Sequence, residues 1–209
     1  MRIYYTFGKD RENMRISLLF VVLLGSTSIS LAQSFAAFQR LENCEHWHCV
    51  VDLARENLEL RLDRNIPWRL PLRRGGAQIT SGFGYRTHPI DGGRRFHGGV
   101  DIAAPVGTEV LASGCGRASQ GYSSVLGHYV RIDHLNGFVS TYGHLAEVFI
   151  TDGELISQSS VIGSVGCSGR TTGPHLHWTI RYRRTGTVVD PLVLRRSLLA
   201  RFNDLPASF

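Results

Sequence analysis

The sequence predicts an all-β antiparallel domain, preceded by a small helical, cysteine-containing segment. Three observations predict it. From about residue 75, short alternating runs are separated by glycine-rich turns, the pattern of half-buried strands. Leu135-Asn136-Gly137 lies between two such runs, and Asn-Gly readily takes the left-handed backbone that a tight hairpin needs. No long helical period follows until residues 192–202, just after Asp190-Pro191.

Residues 1–32 read as a targeting segment. Arg15 precedes an apolar run over residues 16–24, and Ser30-Leu31-Ala32 ends it with a small-x-small cleavage pattern. The apolar run is too short to span a bilayer stably, so no membrane span is expected in the mature chain. Met14 is an alternative start. Residues 33–74 form a second region. There Val50, Ala54, Leu58 and Leu62 recur every fourth residue as an amphipathic stripe that Pro67 and Pro71 end. A prosegment, a spacer or a docking element fits this composition, and the region is expected to modulate access rather than supply catalytic groups. Residues 75–192 are the β domain, with strands expected at 109–112, 129–133, 138–145, 161–165 and 176–182. Residues 193–209 form a helical tail.

The chain has 209 residues, 43% of them hydrophobic, enough for one ordinary domain with a core and against global disorder. Its net charge is +6, and every basic residue after Lys9 is arginine. The basic pairs, such as Arg73-Arg74 and Arg183-Arg184, are scattered and lack the aromatic interleaving of a single-strand nucleic-acid groove, so no nucleic-acid partner is expected. Four cysteines in an exported chain permit disulfides. Cys44-Glu45-His46-Trp47-His48-Cys49 is too crowded for the usual zinc-finger spacing, and a small Cys44–Cys49 loop is the expected use. Cys115 and Cys167 would then make the second pair, although four cysteines admit three pairings.

The chemistry sits in three stretches. Phe96-His97-Gly98-Gly99-Val100-Asp101 places a histidine and a carboxylate four residues apart among glycines; Tyr142-Gly143-His144-Leu145 adds an imidazole; Gly173-Pro174-His175-Leu176-His177 adds two more. Imidazole and carboxylate suit zinc, and two histidines with one carboxylate leave the fourth tetrahedral position open, the mark of a catalytic site. On a strand, His175 and His177 point to one face while Leu176 points to the other. There is no H-E-x-x-H motif, so the helix-borne glutamate mechanism does not apply.

Taken in order, Ile79-Thr80-Ser81-Gly82-Phe83-Gly84-Tyr85-Arg86-Thr87-His88-Pro89, His97-Gly98-Gly99-Val100-Asp101-Ile102-Ala103, Tyr142-Gly143-His144-Leu145 and Gly169-Arg170-Thr171-Thr172-Gly173-Pro174-His175-Leu176-His177 resemble the lysostaphin-type (LytM-type) zinc endopeptidases of peptidoglycan. The resemblance covers residues 75–192 and implies an antiparallel sheet or open sandwich with a groove across it. It implies one zinc held by His97, Asp101 and His177, with His144 and His175 as catalytic histidines. It also implies hydrolysis of peptide cross-links in peptidoglycan, with the peptide stems as partner, in the periplasm or outside the cell. Some members of the family have lost ligands and act as activators, so the rival reading is a non-catalytic wall-binding activator or scaffold using the same groove. His88 is expected to line the groove or stabilise its turn. His128 and His134 are expected to be structural or solvent-facing, and Tyr142 and Trp178 to pack in the core or near the cleft.

Overall fold

The computed structural model describes residues 62–202, apart from residues 74, 76 and 88–91, together with five isolated positions between residues 40 and 49. The expected targeting segment, the apolar stripe at Val50, Ala54 and Leu58, Cys44 and His88 lie outside the described residues. Among the described residues no helix is long and apolar enough to cross a membrane.

Among the described residues the β domain holds twelve strands. They are β1 (Gln78–Ser81), β2 (Gly84–Thr87), β3 (Arg94–His97), β4 (Val100–Ala103), β5 (Glu109–Leu111), β6 (Gly116–Ser123), β7 (Gly127–Asp133), β8 (Phe138–Val148), β9 (Leu155–Ile156), β10 (Val161–Val165), β11 (His175–Tyr182) and β12 (Thr187–Val189). Ten form one sheet in the order β1-β4-β11-β8-β7-β6-β9, with β10 joining β8 to β5 and β12 edging β11; β2 and β3 form a separate hairpin. Every pairing is antiparallel.

Alternation in β11 orients the sheet. Leu176, Trp178, Ile180 and Tyr182 are fully buried, whereas His175, His177, Thr179 and Arg181 face the other way. Val100, Ile102, Val130, Ile132 and Phe138 join the buried set. The β7–β8 hairpin forms where the Asn-Gly signal puts it, but the positive φ falls on Leu135 and Gly137 (62° and 92°) and not on Asn136; a Cβ on Gly137 would lie 2.6 Å from the Tyr182 ring.

Strand β8 departs from a regular period. Tyr142 and Leu145, three residues apart, are both fully buried, although a regular strand would put them on opposite faces. One extra β8 residue is inserted against β7 between the partners of His128 and Val130, and another against β10 between the partners of Ser164 and Val165. This bulge lets the core claim both side chains. It also turns His144 (φ 63°) out of the ladder.

The stretch before β1 belongs to the same core. Ile66, Trp68 and Leu72 are buried against the sheet. The stretch runs along β5 and the start of β6 through Cys115 N–H to Arg64 O (2.7 Å), Arg69 N–H to Ser113 O (3.2 Å) and Leu111 N–H to Pro71 O (2.8 Å). Helix α1 (Pro191–Phe202) follows β12 and buries Leu194 and Leu198. Asp190 Oδ1 caps it, accepting from the N–H groups of Leu192 (2.8 Å) and Val193 (3.3 Å), with Pro191 in the first turn where no N–H is missed.

The expected Cys115–Cys167 bridge is not formed: both thiols are free. They serve different parts of the sheet. Cys115 precedes β6, where its sulfur accepts from Gln158 N–H (3.2 Å) beside β9, while Cys167 is exposed in the loop after β10. His134 is structural. It is fully buried, its Nδ1–H donates to Cys115 O (2.7 Å), and its Nε2 faces Ser140 Oγ (2.8 Å). Ser140 in turn meets Tyr142 Oη (3.0 Å), which bonds Ser113 Oγ (2.5 Å). Burial lowers the His134 pKa to about 4, only partly offset by the Cys115 carbonyl and the Asp133 charge. His128 lies at the surface, edge-on to Tyr122.

Candidate metal centre

The site is assembled where β3, β4 and β11 meet. His97 ends β3, and Asp101 on β4 is paired directly with His177 on β11. The link between β3 and β4 must lie flat on β11. A Cβ on Gly99 would sit 2.6 Å from Trp178 O and 2.7 Å from Thr179 Cγ2, which explains a glycine there.

One donor atom from each of His97, Asp101 and His177 lies within 4.8 Å of the others. His97 Nε2 is 3.2 Å from both His177 Nδ1 and Asp101 Oδ1, and His177 Nδ1 is 2.6 Å from Asp101 Oδ1. Zinc–nitrogen bonds of about 2.0–2.1 Å give tetrahedral edges of about 3.3 Å, so the two 3.2 Å separations suit a shared zinc and the 2.6 Å one is tighter. The donor set fits as well, because three acceptors turned toward one point call for a cation. His97 Nδ1–H donates to Gly82 O (2.8 Å), which leaves Nε2 as the acceptor facing the cluster.

Asp101 has a second partner. Arg86 Nη2 donates to its Oδ2 at 3.2 Å, leaving Oδ1 to the two histidines. Burial alone would raise the Asp101 carboxyl, but hydrogen bonds and charge from His177 and His97 hold it well below the usual carboxylate range.

His144 and His175 flank the cluster with ring centroids 4.7 Å apart, and the His144 ring is 5.9 Å from that of His177. Each is fixed by a carbonyl. His144 Nδ1–H donates to Ser168 O (2.8 Å), and His175 Nδ1–H donates to Gly173 O (2.9 Å) beside Thr171 Oγ1 (3.1 Å). A carbonyl only accepts, so Nδ1 carries a proton in each ring and the lone pair of the neutral form falls on Nε2. Burial pushes the His144 imidazole below its ordinary value against the opposing Ser168 carbonyl, so it is neutral at pH 7.

The five histidine and aspartate positions picked out in the sequence thus converge. Arg86, Ser168 and Thr171 were not picked out as partners. Arg86 lies on β2 within the Ile79–Pro89 motif, and an arginine in a strand beside a glycine turn is the only local signal for it. Ser168 acts through its backbone carbonyl, which no side-chain pattern reveals. The cluster opens on a groove of about 330 Å³, lined also by Arg86, Phe96, Val125 and Leu126.

Two donors from one sheet face and a third from the adjoining hairpin, converging beside a groove with two further imidazoles, are the constellation a metal-dependent hydrolase needs. Residues 95–191 match the family described as Peptidase family M23, and the chain belongs to that family. Among its relatives, the "Peptidoglycan DD-endopeptidase ShyC" of Vibrio cholerae is 42% identical over 94 residues, which cover 44% of this chain and 22% of the relative. The fold is similar to that of a zinc containing peptidase from Vibrio cholerae (TM-score 0.54, 34% identity, 58% of this chain and 38% of that one). It is also similar to the catalytic domain of the prophage-encoded M23 protein EnpA from Enterococcus faecalis (TM-score 0.51, 31% identity, 58% of this chain and 93% of that one). The chain spans about a quarter of the length of the curated relatives it matches.

Proposed function

We propose that this protein is an exported zinc endopeptidase that hydrolyses peptide cross-links of bacterial peptidoglycan in the cell envelope. The observation that carries the reading is the convergence of His97, Asp101 and His177 on one point, with His144 and His175 on the open side of it. The names of the relatives, a peptidoglycan DD-endopeptidase and a zinc containing peptidase, supply the substrate class and the metal. His97, Asp101 and His177 hold the zinc. His144 and His175 carry the proton traffic.

A bound zinc supplies Lewis acidity and brings the pKa of water to about 7. The chain's own groups do the rest. Asp101 contributes a full negative charge, and Arg86 keeps one of its oxygens turned away from the cluster. The lone pair on His144 Nε2 accepts a proton from the attacking water as its oxygen bonds to the amide carbon. The imidazolium so formed returns that proton to the amine nitrogen as the C–N bond breaks. His175, where protonated, donates from Nε2 to the developing oxyanion. The Gly82, Ser168 and Gly173 carbonyls hold three of the four rings in the required tautomer.

The test is zinc content measured together with hydrolysis of purified sacculi. One zinc per chain with release of cross-linked peptides is expected. Zinc binding without hydrolysis would favour a wall-binding activator instead.

A further inference from the structure

The face of β11 that carries His175 and His177 continues through Thr179 to Arg181. Thr141 on β8 pairs with Thr179, and Arg131 on β7 pairs with Thr141, so the three strands share one polar floor. This floor lies under a second groove of about 580 Å³. Leu126 lines both this groove and the one over the metal cluster, which makes the two neighbours along the sheet.

The charge of the second groove is one-sided. Arg117, Arg131, Arg181 and Arg183 line it against the single carboxylate of Asp133, and Arg183 already engages that carboxylate (2.5 Å). Arg181 donates one N–H to Gly186 O (2.8 Å), and the Arg131 guanidinium lies 5.7 Å from the centre of the Tyr129 ring. Neither Arg131 nor Arg181 faces a carboxylate among the described residues. A guanidinium is built for bidentate binding of a planar anion. Arg181 lies four residues along the strand from His177, about 13 Å at strand rise, within the reach of a short extended peptide.

We propose that Arg131 and Arg181 form a subsite for a carboxylate of the peptide stem, holding the substrate along the strand face while its amide lies over the metal cluster. The inference rests on the peptidoglycan reading for its ligand. Charge complementarity and continuity with the candidate metal centre carry it, and the carboxylates are the anions that such a peptide offers.

The test uses two soluble cross-linked muropeptides, one with its free carboxylates and one with them converted to amides. Stopped-flow anisotropy on the zinc-loaded protein reads binding before turnover. Wild type is expected to bind the free form about ten-fold tighter, the scale of one charge-assisted hydrogen-bond pair. Arg131→Gln combined with Arg181→Gln should abolish the preference with zinc content and melting temperature unchanged. If that variant does not fold, Arg131→Lys with Arg181→Lys keeps the charge and loses the fork, and should keep only part of the preference. Equal binding of the two forms by wild type, or an undiminished preference in either double variant, would overturn the proposal. Cleavage products from the same mixtures, read by mass spectrometry, judge the endopeptidase reading separately. A carboxylate preference without cleavage counts against the enzyme and still supports the subsite.

Discussion

His175 and His177 share one face of one strand, two residues apart, and the chemistry asks different things of them. His177 turns Nδ1 into the donor cluster, while His175 spends Nδ1 on a carbonyl and keeps Nε2 for the groove. His177→Ala should therefore lose zinc and activity together. His175→Ala should keep near-stoichiometric zinc while the rate falls by roughly 10²–10⁴, the usual contribution of an acid/base group. His144→Ala should follow His175→Ala, and His97→Ala and Asp101→Ala should follow His177→Ala. Metal analysis and muropeptide release on the same folded preparations decide this, and retention of zinc by His177→Ala with its loss from His175→Ala would reverse the roles.

His134 gives a second prediction at this scale. Its folded pKa, about 4, lies below the unfolded value of 6.5, so the unfolded chain takes up the proton first. Its neutral form supports the fold fully above about pH 6.5, and stability falls as pH drops toward 4. The window corresponds to about 3 kcal/mol. Urea unfolding at several pH values should show this loss in wild type and a flatter profile in His134→Asn. Parallel profiles would contradict it.

At this scale the candidate ligands were legible because metal chemistry needs particular side chains at close spacing. The second cysteine pair misled for a related reason. Even count and export permit a disulfide, but only the fold says that Cys115 and Cys167 serve different strands.

Among the elements, the hairpin at Leu135-Asn136-Gly137 and the helix after Asp190-Pro191 were readable because turn and cap chemistry is local. The β8 bulge was not. It shows only as two buried residues at a spacing that alternation forbids, and its cause is the pull of the core on Tyr142 and Leu145. The bulge also explains how His144 reaches the groove from a buried strand.

The stretch at residues 62–73 is the other surprise, because it falls in the region whose composition fits a prosegment, a spacer or a docking element, whereas Ile66, Trp68 and Leu72 fill the core. We propose that the folding unit begins near residue 62 rather than 75. A chain starting at residue 75 should be less stable than one starting at residue 62 by on the order of 5 kcal/mol, from three buried side chains at about 1.5–3 kcal/mol each. Equal urea midpoints for the two would show that the stretch is a passive cover.

At the scale of the whole molecule, one sheet serves two purposes. Its inner face builds the core. Its outer face runs from the donor cluster to the arginine floor. The fold class was legible from period and turns, whereas the groove was implied only by the resemblance to the lysostaphin-type endopeptidases. The order of the strands was not legible, because β4 and β11 are brought together by pairing across more than seventy residues.

One measurement tests zinc-dependent cleavage of the cross-links most directly: mass spectrometry of the muropeptides released from purified sacculi by residues 33–209, with zinc loaded, stripped by a chelator, and restored. Cross-linked peptides should be cut by the loaded protein, left whole by the stripped one, and cut again when zinc returns. Full zinc occupancy with every cross-link intact, or cleavage that persists after the metal is removed, would contradict it.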